Sequence, residues 1–174
     1  MTPTNESFIL HWGEMGTKWG VNRTVAQIHA LLFLSPNPLN AEEIAETLSV
    51  ARSNVSNSLR ELQGWGIVKV VHVMGDRRDH YESMKDVWDM FQIILDERKK
   101  RETDPTLAVL RELTSGAKGK TKDEYTQQRL GDMLEFFESM TTWYGQMRRL
   151  PKGALVRLMK MGDKVLKMIP GGGK

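Results

Sequence analysis

The sequence predicts a mainly α fold that carries one small β-hairpin, and three observations predict it. Apolar residues recur at helical spacing along most of the 174 residues. One Val/Ile-rich run, 67–74, is followed by the turn pair Gly75-Asp76. Directly before that run stand a capped helix, a tight connection and a helix faced with Ser, Asn and Arg. In this order the elements specify a winged helix-turn-helix, an α+β unit with a hairpin wing, extended at both ends by helices suited to dimerisation.

The first helix is expected over about 5–20, where Phe8, Trp12, Met15 and Trp19 fall on one face. A second, about 22–35, has Val25, Ile28, Leu31 and Leu32 inward and is stopped by "SPNP". In "LNAEEIAETL", Asn40 stands as N-cap with Glu43 in capping-box position, and Ile44, Ala45 and Leu48 face inward. Ser49 and Val50 lead tightly into a helix whose inward residues are Val55, Leu59 and Leu62. "GWG" at 64–66 ends it, with Trp65 as a structural plug. The strand 67–74 returns over 79–83 around an exposed tip, Asp76-Arg77-Arg78-Asp79.

Helices follow at about 84–101 and 105–114, then "TSGAKGKTKD", a linker by composition. Residues 122–150 form one long helix with a heptad seam at Met133, Phe136, Met140, Trp143, Met147 and Leu150, widened by Leu130, Phe137 and Tyr144. A basic amphipathic helix runs from Pro151 to about Met168. The expected division is 1–85 for the winged helix-turn-helix with its N-terminal helix, 86–170 for a helical dimerisation and effector region, and 171–174 for a disordered tail.

The composition excludes several classes. Without cysteine there is neither a disulfide framework nor a thiolate metal site. No basic n-region with an apolar h-region opens the chain, and no apolar run reaches membrane-spanning length, so a cytoplasmic protein is expected. His11, His29, His72 and His80 lack metal-ligand spacing, and no phosphate loop or nucleophile elbow occurs, so no catalytic residue, metal or cofactor is expected. His80 reads as a solvated histidine beside the wing. Residues 145–174 carry +7, which leaves −4 on the rest of a chain whose total is +3. Binding of nucleic acid would therefore use local patches.

Such a patch is offered by "SVARSNVSNSLRELQGWGIV", residues 49–68. Ser and Asn are mediocre helix-interior residues, because they compete with the backbone for hydrogen bonds. On a helix that enters a DNA major groove they permit close approach, and Asn pairs bidentately with adenine as Arg does with guanine. Ser53, Asn54, Asn57 and Arg60 are the expected base-edge contacts, Arg52 and Ser56 the phosphate contacts. Arg77 and Arg78 at the wing tip can reach the adjacent minor groove, one of them held by Asp76 or Asp79. Singly, each feature also fits an ordinary solvated surface; their succession favours double-stranded DNA as partner.

The stretch "LNAEEIAETLSVARSNVSNSLRELQGWGIVKVVHVMGDRRDHYES" resembles the winged helix of the GbsR-like branch of the MarR superfamily of transcriptional regulators. The preceding "HWGEMGTKWGVNRTVAQIHALLFLSPNPL" resembles that branch's leading helices, so the resemblance covers about 7–85. It implies a homodimeric cytoplasmic repressor on a pseudo-palindromic operator, and for some members a choline-like effector. Two positions depart from the pattern: Ser49 replaces the usual turn Gly, and Ala51 replaces the usual Ser or Thr cap.

The seam at 133–150 and the aromatic face Phe8, Trp12, Trp19 are the candidate dimer surfaces, against plain packing of the seam on the 84–101 helix. Aromatic faces bind quaternary ammonium, although clustered aromatics are more often core; it is the family resemblance that implies an effector pocket near Trp12, Trp19 and Trp88. Two other classes fit parts of the sequence: a winged-helix protein-interaction module without sequence-specific DNA binding, and membrane-surface attachment through 152–168.

Overall fold

The computed structural model describes residues 1–115 and 123–161. Helix α1 (Pro3–Lys18) starts at Thr2, whose hydroxyl accepts the Asn5 N–H, with Pro3 at its first position. Its buried stripe is Ile9, Gly13 and Gly16, while the aromatic face read as a candidate dimer surface is half covered at Phe8 and Trp12 and exposed at Trp19. The reason is backbone proximity to α2 (Arg23–Leu34). A Cβ on Gly13 would stand 2.6 Å from Gln27 Cγ, and one on Gly16 2.5 Å from Ala26 Cβ. Small residues, rather than large ones, make this helix contact.

Helix α3 (Ala41–Leu48) carries the expected capping box. Asn40 Oδ1 accepts the Glu42 and Glu43 N–H groups at 3.0 Å, and Glu43 Oε2 accepts the Asn40 N–H at 2.8 Å. The chain leaves α3 through Ser49 in the left-handed region (φ 54, ψ 43) and enters α4 (Arg52–Gly64), whose N-cap Ala51 offers no side-chain hydrogen bond. Gly66, at φ 78, turns the chain out of α4.

The hairpin strands are shorter than the Val/Ile run suggested: β2 (Val68–Val71) and β3 (His80–Ser83) pair antiparallel, leaving 72–79 as the wing. An unexpected two-residue strand, β1 (Leu39–Asn40), adds to the other side of β3, giving the order β1-β3-β2. Ile28, Leu32, Ile44, Val55, Leu59, Leu62 and Ile67 form the buried centre. Lys85, just beyond β3, donates to the carbonyls of Leu32, Phe33 and Ser35 at 2.8–2.9 Å, a cationic cap on the C-terminus of α2.

Two compact units divide within α5 (Val87–Arg98): Met1–Leu95 and Asp96–Lys174. The first half of α5 contributes Met90, Ile93 and Ile94 to the winged-helix core, so the first unit reaches ten residues past the 85/86 division read from the sequence. A π-helical turn (Lys99–Thr103) continues α5 into α6 (Asp104–Thr114). In the second unit α6 packs on α7 (Glu124–Arg148), with Arg111 paired to Glu138 at 2.9 Å. Tyr144 donates to Asp96 at 2.6 Å and Arg148 to the same carboxylate at 3.1 Å; burial and that carboxylate push the phenol up to about 12.

The half-buried positions of α7 include Leu130, Phe137, Tyr144 and, from the seam, Met147, whereas most of the seam faces out: Met133 is 51%, Phe136 62% and Trp143 61% exposed. Helix α8 (Lys152–Met161) is the described part of the basic amphipathic segment. The tail at 171–174 and most of the linker lie outside the described residues. No described helix is long and apolar enough to cross a membrane.

Candidate nucleic-acid interface

Helix α4 is built as a face on a plug. Val55, Leu59 and Leu62 are fully buried, Ser58 joins them, and Arg52, Ser53, Asn54, Ser56, Asn57 and Arg60 are all exposed. At 3.6 residues per turn, Ser53, Asn57 and Arg60 lie opposite the buried stripe. Arg52 and Ser56 flank that face on the α3 side, where Arg52 meets Glu42 at 2.9 Å. Asn54 flanks it on the other side. There it lines a polar crevice of about 240 Å³ with Asn57, Ser58, Glu61 and, from the start of α2, Asn22 and Thr24. Asn57 Oδ1 accepts from Arg60 at 3.2 Å, which presents the guanidinium along the exposed face.

The wing arginines have different surroundings. Arg78 donates to Asp76 through Nε at 2.9 and 3.0 Å and through a terminal nitrogen at 2.5 Å, and reaches Glu42 at 3.4 Å. The guanidinium holds the Asp76 carboxyl well below the usual carboxylate range, and the carboxylate in turn raises the guanidinium further. Arg77 has no ion-pair partner among the described residues. His80 is buried, not solvated as its sequence position suggested. Its Nδ1–H donates to the Arg78 carbonyl at 3.0 Å, and Nε2 lies 3.6 Å from Asp76. Pairing with Asn40 and Val71 in the sheet draws it inward.

Sequence reasoning missed Glu42, Asp76's second neighbour His80, and the α2 start at Asn22 and Thr24. Glu42 and the start of α2 are revealed by contacts between separate elements, and His80 by the strand pairing that buries it beside Asp76. Among the described residues no group of three acids or histidines could hold a metal.

The three tryptophans do not form one cage. Trp12 meets Trp19 edge-on at 5.7 Å and stacks on Phe8 at 5.4 Å, whereas Trp88 pairs with Phe91 at 6.5 Å. Trp12 alone of the three lines an apolar cavity of about 100 Å³, together with Phe8, His29, Ala30, Phe33, Val87 and Met90. His29 is buried with Nε2 unpaired, and burial, aided by the Lys85 charge, pushes its imidazole down to about 4.

Comparison with known proteins agrees with this architecture. YvaV of Bacillus subtilis (strain 168), named for a helix-turn-helix transcriptional regulator, is 19% identical over 148 residues, covering 83% of this chain and 84% of its own. A crystal structure of a transcriptional regulator, 19% identical, superposes with a TM-score of 0.63 over 91% of this chain and 99% of that one, and shares the fold. The MarR family model matches residues 19–79, from the end of α1 to the wing. Residues 19–79 fold as a winged helix and are similar in sequence to the MarR family.

Proposed function

We propose that this chain regulates transcription by binding double-stranded DNA sequence-specifically as a cytoplasmic homodimer, a repressor on a pseudo-palindromic operator. The observation that carries this is the exposed Ser53–Asn57–Arg60 face of α4, anchored by buried Val55, Leu59 and Leu62, beside a wing that presents Arg77 and Arg78. A helix so plugged from behind can enter a groove about 12 Å wide, with the wing reaching the flanking minor groove. The MarR-type match supports the reading, and the resemblance of residues 39–83 to the GbsR-like branch belongs to it.

The homodimer rests on the exposed seam of α7, since one helix in one half-site buries too little for specificity. Selection from a random duplex pool at about 150 mM salt tests the function. An enriched inverted repeat with half-sites about 10 base pairs apart is expected. No enrichment would overturn it and leave a protein-interaction module.

For an effector, the geometry favours a small neutral ligand in the cavity at Trp12 over the choline-like cation that the family resemblance implies. No carboxylate lines the cavity, His29 is held neutral, and the Lys85 ammonium adds positive potential. Choline should therefore leave tryptophan fluorescence and operator affinity unchanged. Saturable quenching by choline would restore the cationic effector, and Trp19 and Trp88 as candidate contacts for it.

A further inference from the structure

The face that carries the arginines also carries the carboxylates that hold them. Glu42, in the first turn of α3, receives Arg52 from the start of α4 at 2.9 Å and Arg78 from the wing at 3.4 Å. One carboxylate thus ties together the helix before the recognition helix, the recognition helix and the wing. These contacts remain open to solvent: side-chain exposure is 67% for Arg52, 54% for Arg78 and 36% for Glu42. An incoming phosphate can therefore take the carboxylate's place. Arg60 differs, since it is held by the neutral amide of Asn57.

We infer that Glu42 is a specificity-determining residue, which occupies and orients Arg52 and Arg78 in the free protein and so weakens binding to arbitrary DNA more than binding to the operator. This rests on the DNA-binding function proposed above. Non-specific affinity comes from phosphate contacts and the counterions they release. An arginine already neutralised by an internal carboxylate gains less from a phosphate, and the displaced Glu42 then faces like charge.

Freed, mobile arginines would find phosphates on any duplex. Arginines held in register with α4 help only where Ser53, Asn57 and Arg60 also meet their bases. Specificity is the difference between the two affinities, and Glu42 acts on that difference.

Glu42→Gln tests this in the full chain, with the selected duplex and a random duplex of equal length between about 50 and 200 mM salt. The variant should bind the random duplex several-fold tighter, with a salt slope steeper by about one because Asp76 still holds Arg78, and the operator-to-random ratio should fall. Combining Arg52→Ala with Glu42→Gln should return most of that gain. A merely structural Glu42 predicts the opposite sign: removal of an acid from the first turn of α3 lowers the melting temperature and weakens all binding.

Unchanged or weaker random-duplex binding by Glu42→Gln overturns the inference, and so does a double variant that keeps the whole gain. A wild-type protein that selects no sequence sinks both the proposed function and this inference. One that selects an inverted repeat while the variant's slope and ratio stay unchanged sinks the inference alone.

Discussion

His29 is 4% exposed, and its Nε2 has no hydrogen-bond partner. Its imidazole titrates near 4 in the folded protein against 6.5 when solvated, because burial disfavours the cation. Between those values the unfolded chain binds more protons than the folded one, so stability falls as pH drops from 6.5 to 4 and this contribution is flat outside that window. The loss amounts to about 3 kcal/mol at 1.36 kcal/mol per unit. Urea unfolding at pH 7 and at about 4.5 should show His29→Phe with a shallower pH dependence than wild type; equal slopes would refute a buried neutral imidazole.

Among the DNA-facing residues, Arg60 and the wing pair should separate by role. Arg60→Ala should cost on the order of 1–3 kcal/mol on the operator and relax preference at one base position. Joint Arg77→Ala and Arg78→Ala should weaken binding to every sequence and flatten the salt slope. Equal losses on operator and random duplex for both variants would contradict this division.

Between residues and whole molecule, the helix ends carry the information. The Asn40–Glu43 pair is readable in the sequence because a capping box is local, and its side chains and amides meet as the spacing requires. Helix α4 begins without such a cap, at Ala51, and follows Ser49 in the left-handed region. Ala51→Ser should therefore raise stability by about 0.5–2 kcal/mol, seen as a higher melting temperature. No increase would mean that the start of α4 is satisfied in another way.

The face of α1 shows where local pattern stops informing. The large residues Phe8, Trp12, Met15 and Trp19 stand out by size, yet the contact with α2 runs along Ile9, Gly13 and Gly16. Periodicity marks apolar bulk, and a close helix crossing selects for its absence.

At the level of the molecule, two units meet two partners in the proposed function, DNA through the first and a second copy through the second. If the α7 seam pairs subunits, Phe136→Arg with Trp143→Arg should convert dimer to monomer by light scattering and lower operator affinity, since the half-sites would then bind independently. A variant that remains dimeric would assign the interface elsewhere.

The sequence by itself determined the order of elements, the capped α3, the plugged Ser/Asn/Arg helix and the arginine-tipped hairpin. Each is a matter of neighbours along the chain: spacing, caps and turns. Tertiary structure alone decided which α7 face the second unit covers, that β1 joins β3, that Lys85 caps α2, and that Glu42 gathers Arg52 and Arg78. These depend on groups of different elements, from ten to 53 residues apart, being brought within a few ångströms, and that separation leaves no local trace in the order of the residues.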